Sequence, residues 1–280
     1  MDRRPLLVAA AALATLLSGV LAAGLPARDV MATERQAAAP ARAFMATLGG
    51  TTSVPTADPG RPYVLHVPDG LLAPAPLVIA LHAHSQKPAA IREVSRLERL
   101  ADEQGFVVAF PTGGDGSWNA GACCYPGSEK QTDDVAHLDE VLASITGRVG
   151  IDPDRIAVVG GSNGAMMALR YACARPEVVA SVVMVSGTYV SPCAPTAPLS
   201  VLALHGAEDE MVPLAGGLNP ALRTSFPAVS DALEPFRRAG GDVQLTVVPG
   251  GGHNWMTGDA DGLDATHALW DFVRDHPRLG

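Results

Sequence analysis

Seven short apolar runs, separated mostly by stretches with helical spacing, restrict what this chain can fold into more than any other feature. The runs are Tyr63–Val67, Leu77–His82, Phe106–Phe110, Arg155–Val159, Val179–Val185, Leu199–Leu204 and Val243–Val248. They read as buried strands. Ala89–Gln104 carries Ile91, Val94, Leu97 and Leu100 at three-residue steps and stops at Gly105. Asp133–Val149 carries Val135, Leu138, Val141, Leu142 and Ile145. Asn163–Ala174, Ser230–Ala239 and Ala265–Asp275 complete the predicted helices. Strand alternating with helix predicts an α/β fold, a mostly parallel sheet with helices on both faces. In such sheets the chemistry gathers in the loops at the carboxyl ends of the strands.

Residues 61–280 suffice for one such domain. The chain is 48% apolar and 18% charged, a globular and not a disordered composition. Residues 1–27 read differently. Arg3 and Arg4 precede an uncharged apolar run from Leu6 to Leu25, with Ala22, Ala23, Gly24 and Ala27 near its end. That is the layout of a cleaved secretory signal peptide, favoured here over an uncleaved anchor. It predicts a secreted protein, extracellular or periplasmic, with no stable membrane partner after cleavage. Residues 28–60, rich in Ala, Pro and Thr, read as a flexible spacer. A formal net charge of −9 speaks against nucleic acid as a partner.

Export permits disulfides among Cys123, Cys124, Cys173 and Cys193. A Cys173–Cys193 bridge suits elements expected to be neighbours. Cys123 and Cys124 are either a vicinal bridge or free thiols.

The strand Arg155–Val159 runs into Gly160-Gly161-Ser162-Asn163-Gly164, and a helix follows at once. G-x-S-x-G between strand and helix presents a serine on a sharp turn, its hydroxyl exposed above the sheet. Side chains at Gly160 and Gly164 would collide with the neighbouring strand and helix. A serine hydroxyl needs a base within hydrogen-bond reach. His253, in Gly250-Gly251-Gly252-His253 after the last strand, is the best-placed histidine. An acid belongs between them in chain order. Three carboxylates offer themselves after Leu199–Leu204, in Glu208-Asp209-Glu210. Asp209 is preferred and Glu208 is second; Glu210 reads as a solvated turn. The oxyanion donors expected are the backbone N–H groups of Asn163 and, in the loop after Leu77–His82, His84. His82 and His84 have the spacing of a metal pair, but no third ligand is evident and no metal is expected. Trp118 and Trp255 sit in loops on the expected active face. They either line a substrate site or pack those loops down. Met166 and Met167 read as core, and Asp133-Asp134 as the opening of a helix.

Taken together these pieces resemble the extracellular polyhydroxybutyrate depolymerase and feruloyl esterase family of α/β-hydrolases. The matching segments run from Arg61-Pro62-Tyr63 through Leu81-His82, Trp118-Asn119 with Cys123-Cys124, Asp133-Asp134-Val135, Gly161-Ser162-Asn163-Gly164-Ala165, His205-Gly206 with Asp209, and Gly252-His253. The resemblance implies hydrolysis of an ester, possibly polymeric, by Ser162, Asp209 and His253, with no cofactor. One departure is Ala83, where the family usually carries glycine; a Cβ there would strain a turn needing positive φ. An acyltransferase, a serine peptidase and a non-catalytic binding protein of the same fold are the competing expectations.

Overall fold

A computed structural model of the chain describes residues 49–124, 132–191, 194–258 and 262–278. Eight strands form one sheet. In chain order they are β1 (Gly50–Val54), β2 (Tyr63–Val67), β3 (Ala75–Leu81), β4 (Val107–Pro111), β5 (Ile151–Gly161), β6 (Ser181–Val185), β7 (Ser200–Gly206) and, after the hairpin β8 (Gly217–Asn219) and β9 (Thr224–Phe226), β10 (Val243–Val248). The spatial order is β1-β2-β4-β3-β5-β6-β7-β10. All neighbours pair in parallel except β1 with β2 and β2 with β4. The helices are α1 (Pro88–Ser95), α2 (Leu97–Gln104), α3 (Asp134–Thr146), α4 (Asn163–Ala174), α5 (Val229–Arg238) and α6 (Ala265–Asp275). This is the mostly parallel, doubly covered sheet that the alternation predicts.

Strand side chains alternate between two cores, as period-2 geometry requires. Leu77, Ile79 and Leu81 of β3 join one core with Leu138 and Val141 of α3 and Phe236 of α5. Val78 and Ala80 of the same strand join the other, with Ile91 of α1, Leu100 of α2 and Trp270 of α6. Parallel strands buried on both faces read as continuous apolar runs, which is why they are visible in the sequence. The chain leaves β3 for β4 on one side and then crosses back past β3 to β5 on the other, so the winding direction reverses here, and the crevice beyond the carboxyl ends of β3 and β5 is where such sheets place their sites.

Two local expectations need correction. Gly50–Val54, assigned to the spacer, is an edge strand pairing Gly50 with Val67 and Val54 with Tyr63. Its Thr51, Thr52 and Ser53 are exposed, so it carries no apolar signature. The single helix expected over 89–104 is two helices, broken at Arg96 in the left-handed region (φ 51°). Three-residue steps rotate steadily around an α-helix, so one straight helix cannot bury Ile91, Leu97 and Leu100 together. The break restores them to the core and leaves Val94 outside it, 44% exposed.

The proposed signal peptide and the spacer up to residue 48 lie outside the described residues, as does Cys193 of the expected Cys173–Cys193 bridge. Cys123 and Cys124 are buried and form a vicinal disulfide. Among the described residues no helix is long and apolar enough to cross a membrane.

A buried histidine is expected to make the fold acid-sensitive. His137 of α3 is 6% exposed, and its Nε2 has no hydrogen-bond partner among the described residues. Desolvation, then the nearby Arg61 charge, lowers its pKa to about 4. The folded value lies below that of a free imidazole, so the unfolded chain binds the proton first. Stability is therefore intact above about pH 6.5 and falls as the pH drops toward 4, by on the order of 3 kcal/mol. His137→Leu should lose less Tm than the parent between pH 7 and pH 4.5 in thermal melts. Parallel losses would place the acid sensitivity elsewhere.

Candidate active site

Ser162 occupies the turn between β5 and α4 with φ 52° and ψ −119°, a backbone conformation that costs a serine about 1–3 kcal/mol. The flanking glycines make the turn possible. A Cβ on Gly160 would lie 2.4 Å from the Gly164 carbonyl carbon, and one on Gly164 would lie 2.2 Å from the Leu81 oxygen of β3. The helix thus starts hard against the neighbouring strand, and the serine is forced outward at the sheet's carboxyl edge.

His253 and Asp209 meet it there from the loops after β10 and β7. His253 Nδ1 lies 2.8 Å from Asp209 Oδ2 and 3.0 Å from Oδ1. A carboxylate can only accept, so Nδ1 carries the proton. Nε2, 3.0 Å from Ser162 Oγ, is left to accept from the hydroxyl. Asp209 is buried, and its Oδ1 also accepts from the backbone N–H groups of Met211 (2.9 Å) and Val212 (2.8 Å). Glu208 and Glu210 are exposed, so the structure separates the three adjacent carboxylates cleanly. Gly206 lets the acid and base loops touch: a Cβ there would lie 2.2 Å from the Gly251 oxygen. The Glu208 N–H donates to that same oxygen across 2.9 Å.

A second histidine lies beneath the acid. His205, fully buried at the end of β7, donates from Nε2 to the Val212 oxygen (2.8 Å), and the same nitrogen is 3.4 Å from Asp209 Oδ2. This placement is not legible in the sequence, because nothing in a sequence shows a side chain turning under its neighbour.

The tryptophans divide. Trp255 sits beside Ser162 in a cavity of about 150 Å³, whose apolar wall it shares with Ile91, Val94 and Val185. Its Nε1 donates to Thr266 Oγ1 (3.0 Å). Trp118 is fully buried and does not line that cavity; here the packing alternative holds. Its indole N–H donates to the His82 oxygen (2.9 Å), and its backbone N–H to Asn163 Oδ1 (2.8 Å). The Asn163 side chain therefore ties the Trp118 loop to the start of α4.

His82 is buried with both ring nitrogens used. Nδ1 donates to the Ala83 oxygen, and Nε2 accepts from the Gly113 N–H, each at 2.9 Å. Desolvation lowers its pKa, in keeping with a neutral ring. His84 turns its ring to Ser117 Oγ (3.0 Å), and the cavity beside Ser162 is bounded by Ala83. The positive φ in this loop falls on Ser85 (56°) and not on Ala83. The strain expected from alanine at the family's glycine position is therefore absent.

The Trp118-Asn119 segment is held from below by charge. Asp134 is buried, pairs with Arg61, and accepts from the Asn119 N–H and from Thr132 Oγ1 (3.1 Å). Arg170 of α4 donates to the Asn119 oxygen and to Asn119 Oδ1 (2.7 Å). Only Asp133 caps the helix, accepting from the Ala136 N–H (3.0 Å).

Comparison with known proteins finds similarity to esterases. Residues 128–259 match the family model described as Phospholipase/Carboxylesterase. The chain is 32% identical over 222 residues to the "Putative esterase NocK" of Nocardia uniformis subsp. tsuyamanensis, covering 68% of this chain and 62% of that protein. It is 25% identical over 256 residues to Feruloyl esterase B of Piromyces equi, covering 76% of this chain and 45% of the relative. The chain thus spans less than two thirds of either relative. A crystal structure of a thermostable esterase superimposes with a TM-score of 0.59 at 16% identity, over 84% of this chain and 64% of that one.

Proposed function

Because the chain is an α/β-hydrolase with kinship to esterases and feruloyl esterases, we propose that it is a secreted serine esterase that cleaves carboxylic esters through an acyl-enzyme. The observation that carries this reading is the continuous path Ser162 Oγ to His253 Nε2 and His253 Nδ1 to Asp209. Secretion rests on the Arg3-Arg4 pair and the apolar run behind it.

In the first step Ser162 Oγ attacks the ester carbonyl carbon as His253 Nε2 takes its proton. The carbonyl oxygen becomes an oxyanion held by the backbone N–H groups of Asn163 and His84, with the amino end of α4 adding positive potential. The C–O bond to the alcohol breaks, and His253 returns the proton to the leaving oxygen. Water then attacks the acyl-enzyme, His253 again taking and returning the proton, and the acid leaves. Asp209 fixes the imidazole tautomer and stabilises its charged form. These steps call on no metal or organic cofactor.

The acyl group lies in the cavity walled by Trp255, Ile91 and Val94. Two substrate classes suit the resemblance: polyhydroxyalkanoate oligomers and feruloyl or acetyl esters of polysaccharide. Kinetics on p-nitrophenyl butanoate, methyl ferulate and hydroxybutyrate oligomers test the reading. We expect turnover of the p-nitrophenyl ester and of one of the other two, which then names the class. Folded protein that turns over none of the three contradicts it.

A further inference from the structure

Ser186 stands one residue beyond β6, between the nucleophile strand and the acid strand. It is 2% exposed, it borders the cavity beside Ser162, and its φ is 52°. A serine disfavours that left-handed backbone, whereas glycine adopts it freely. The next residue is glycine, so the chain has placed its side chain at the strained position. What the side chain does there is specific. Its hydroxyl donates to the Asn254 oxygen across 2.9 Å, one residue past His253.

The surrounding contacts reach the other two parts of the site. The Ser186 N–H donates to the Leu204 oxygen of β7 (2.9 Å), the strand that leads to Asp209. The Ser162 N–H donates to the Val185 oxygen (2.8 Å). A Cβ on Gly187 would sit 2.7 Å from the Ala165 Cβ and 3.1 Å from the Ser162 oxygen, so this backbone lies directly against the nucleophile turn. Three consecutive residues, Val185-Ser186-Gly187, therefore touch the elements carrying the proposed nucleophile, base and acid.

We propose that Ser186 is a positioning residue. Its hydroxyl clamps the His253 loop to the end of β6 and so sets the spacing between His253 Nε2 and Ser162 Oγ. The proposal rests on the esterase reading above. A glycine-rich loop has little stiffness of its own, and Gly250-Gly251-Gly252 immediately precedes His253. The Asp209 contact orients the imidazole; the Ser186 contact anchors the backbone that carries it. A misplacement of about 1 Å between reacting groups can lower a rate about 100-fold.

Two variants separate positioning from simple support of the fold. Ser186→Gly removes the hydroxyl and relieves the strained φ; Ser186→Ala removes the hydroxyl and keeps the strain. With p-nitrophenyl butanoate, both should lose about 10- to 100-fold in kcat with KM within about twofold. The Tm of Ser186→Gly should equal or exceed that of the parent, so activity falls while stability does not. Fluorophosphonate labelling of Ser162 should slow in both variants. A parent that labels, with Ser186→Gly labelling and turning over as fast, overturns this inference alone. A parent that neither labels nor turns over an ester overturns the esterase reading and this inference together.

Discussion

Ser162→Ala is expected to lower kcat for p-nitrophenyl butanoate by about 10⁵- to 10⁶-fold and to leave Tm close to the parent value. The size of the loss follows from how such groups act, since removing the nucleophile removes covalent catalysis as a whole. What survives is binding and oxyanion stabilisation, which leaves a rate of about 10³–10⁴ over water in comparable sites. The small change in stability has a structural reason. Ser162 is only partly buried, and its side chain hydrogen-bonds to His253 alone among the described contacts. Alanine keeps the Cβ and the φ of 52°, so the strain of the turn is the same in both proteins. Steady-state kinetics and thermal melts on the two proteins check both halves. A variant retaining more than about one part in a hundred of the parent kcat would show that another group attacks the ester.

Asp209→Asn is the second large effect. An amide at this position can present its N–H to His253 Nδ1, which reverses the imidazole tautomer and points a proton at Ser162. We expect kcat to fall about 10⁴-fold. The adjacent carboxylates supply the control. Glu208 and Glu210 are exposed and stand outside the path, so Glu208→Gln and Glu210→Gln should stay within about twofold of the parent. Burial makes the contrast sharp. Asp209 accepts two backbone N–H groups as well as the imidazole, which holds its carboxylate in one orientation. Comparable losses in all three variants would mean that the acidity of the loop as a whole matters, and not one geometry.

The parts of this architecture legible in the sequence are those with a local physical signature. Parallel strands covered on both faces must be apolar throughout, so the runs of β3, β4, β5, β6 and β7 stand out. Gly160 and Gly164 are required by contacts at 2.4 and 2.2 Å, and glycine at those positions is a readable consequence. Chain order brings Asp209 and His253 forward because each lies in the loop that follows a strand. The less legible parts lack such signatures. The edge strand Gly50–Val54 is polar because one side of it faces solvent. The hairpin of β8 and β9 is three residues per strand, too short to show a period. Trp118 reads as an exposed loop residue because its partners are distant in sequence: His82 lies 36 residues before it and Asn163 45 after it. The Arg61–Asp134 pair that supports its loop is equally non-local, its members 73 positions apart in the chain. Ser186 was within reach. It follows a predicted strand at the carboxyl edge, where the general rule for such sheets directs attention.

Arg96 shows how a small error of pattern hides a piece of the site. Reading 89–104 as one helix makes Val94 a core residue. The left-handed break leaves it outside the core, lining the cavity beside Ser162 together with Trp255. The place of Val94 in that cavity wall therefore goes with a kink that three-residue spacing does not announce.

The most direct measurement is intact-protein and peptide mass spectrometry after treatment with a fluorophosphonate. The proposed mechanism predicts a single phosphonyl adduct, mapped to the peptide containing Ser162. It also predicts loss of that adduct in Ser162→Ala and strong slowing in His253→Ala. Folded protein that takes no adduct, or takes it at another residue with Ser162 untouched, would contradict it.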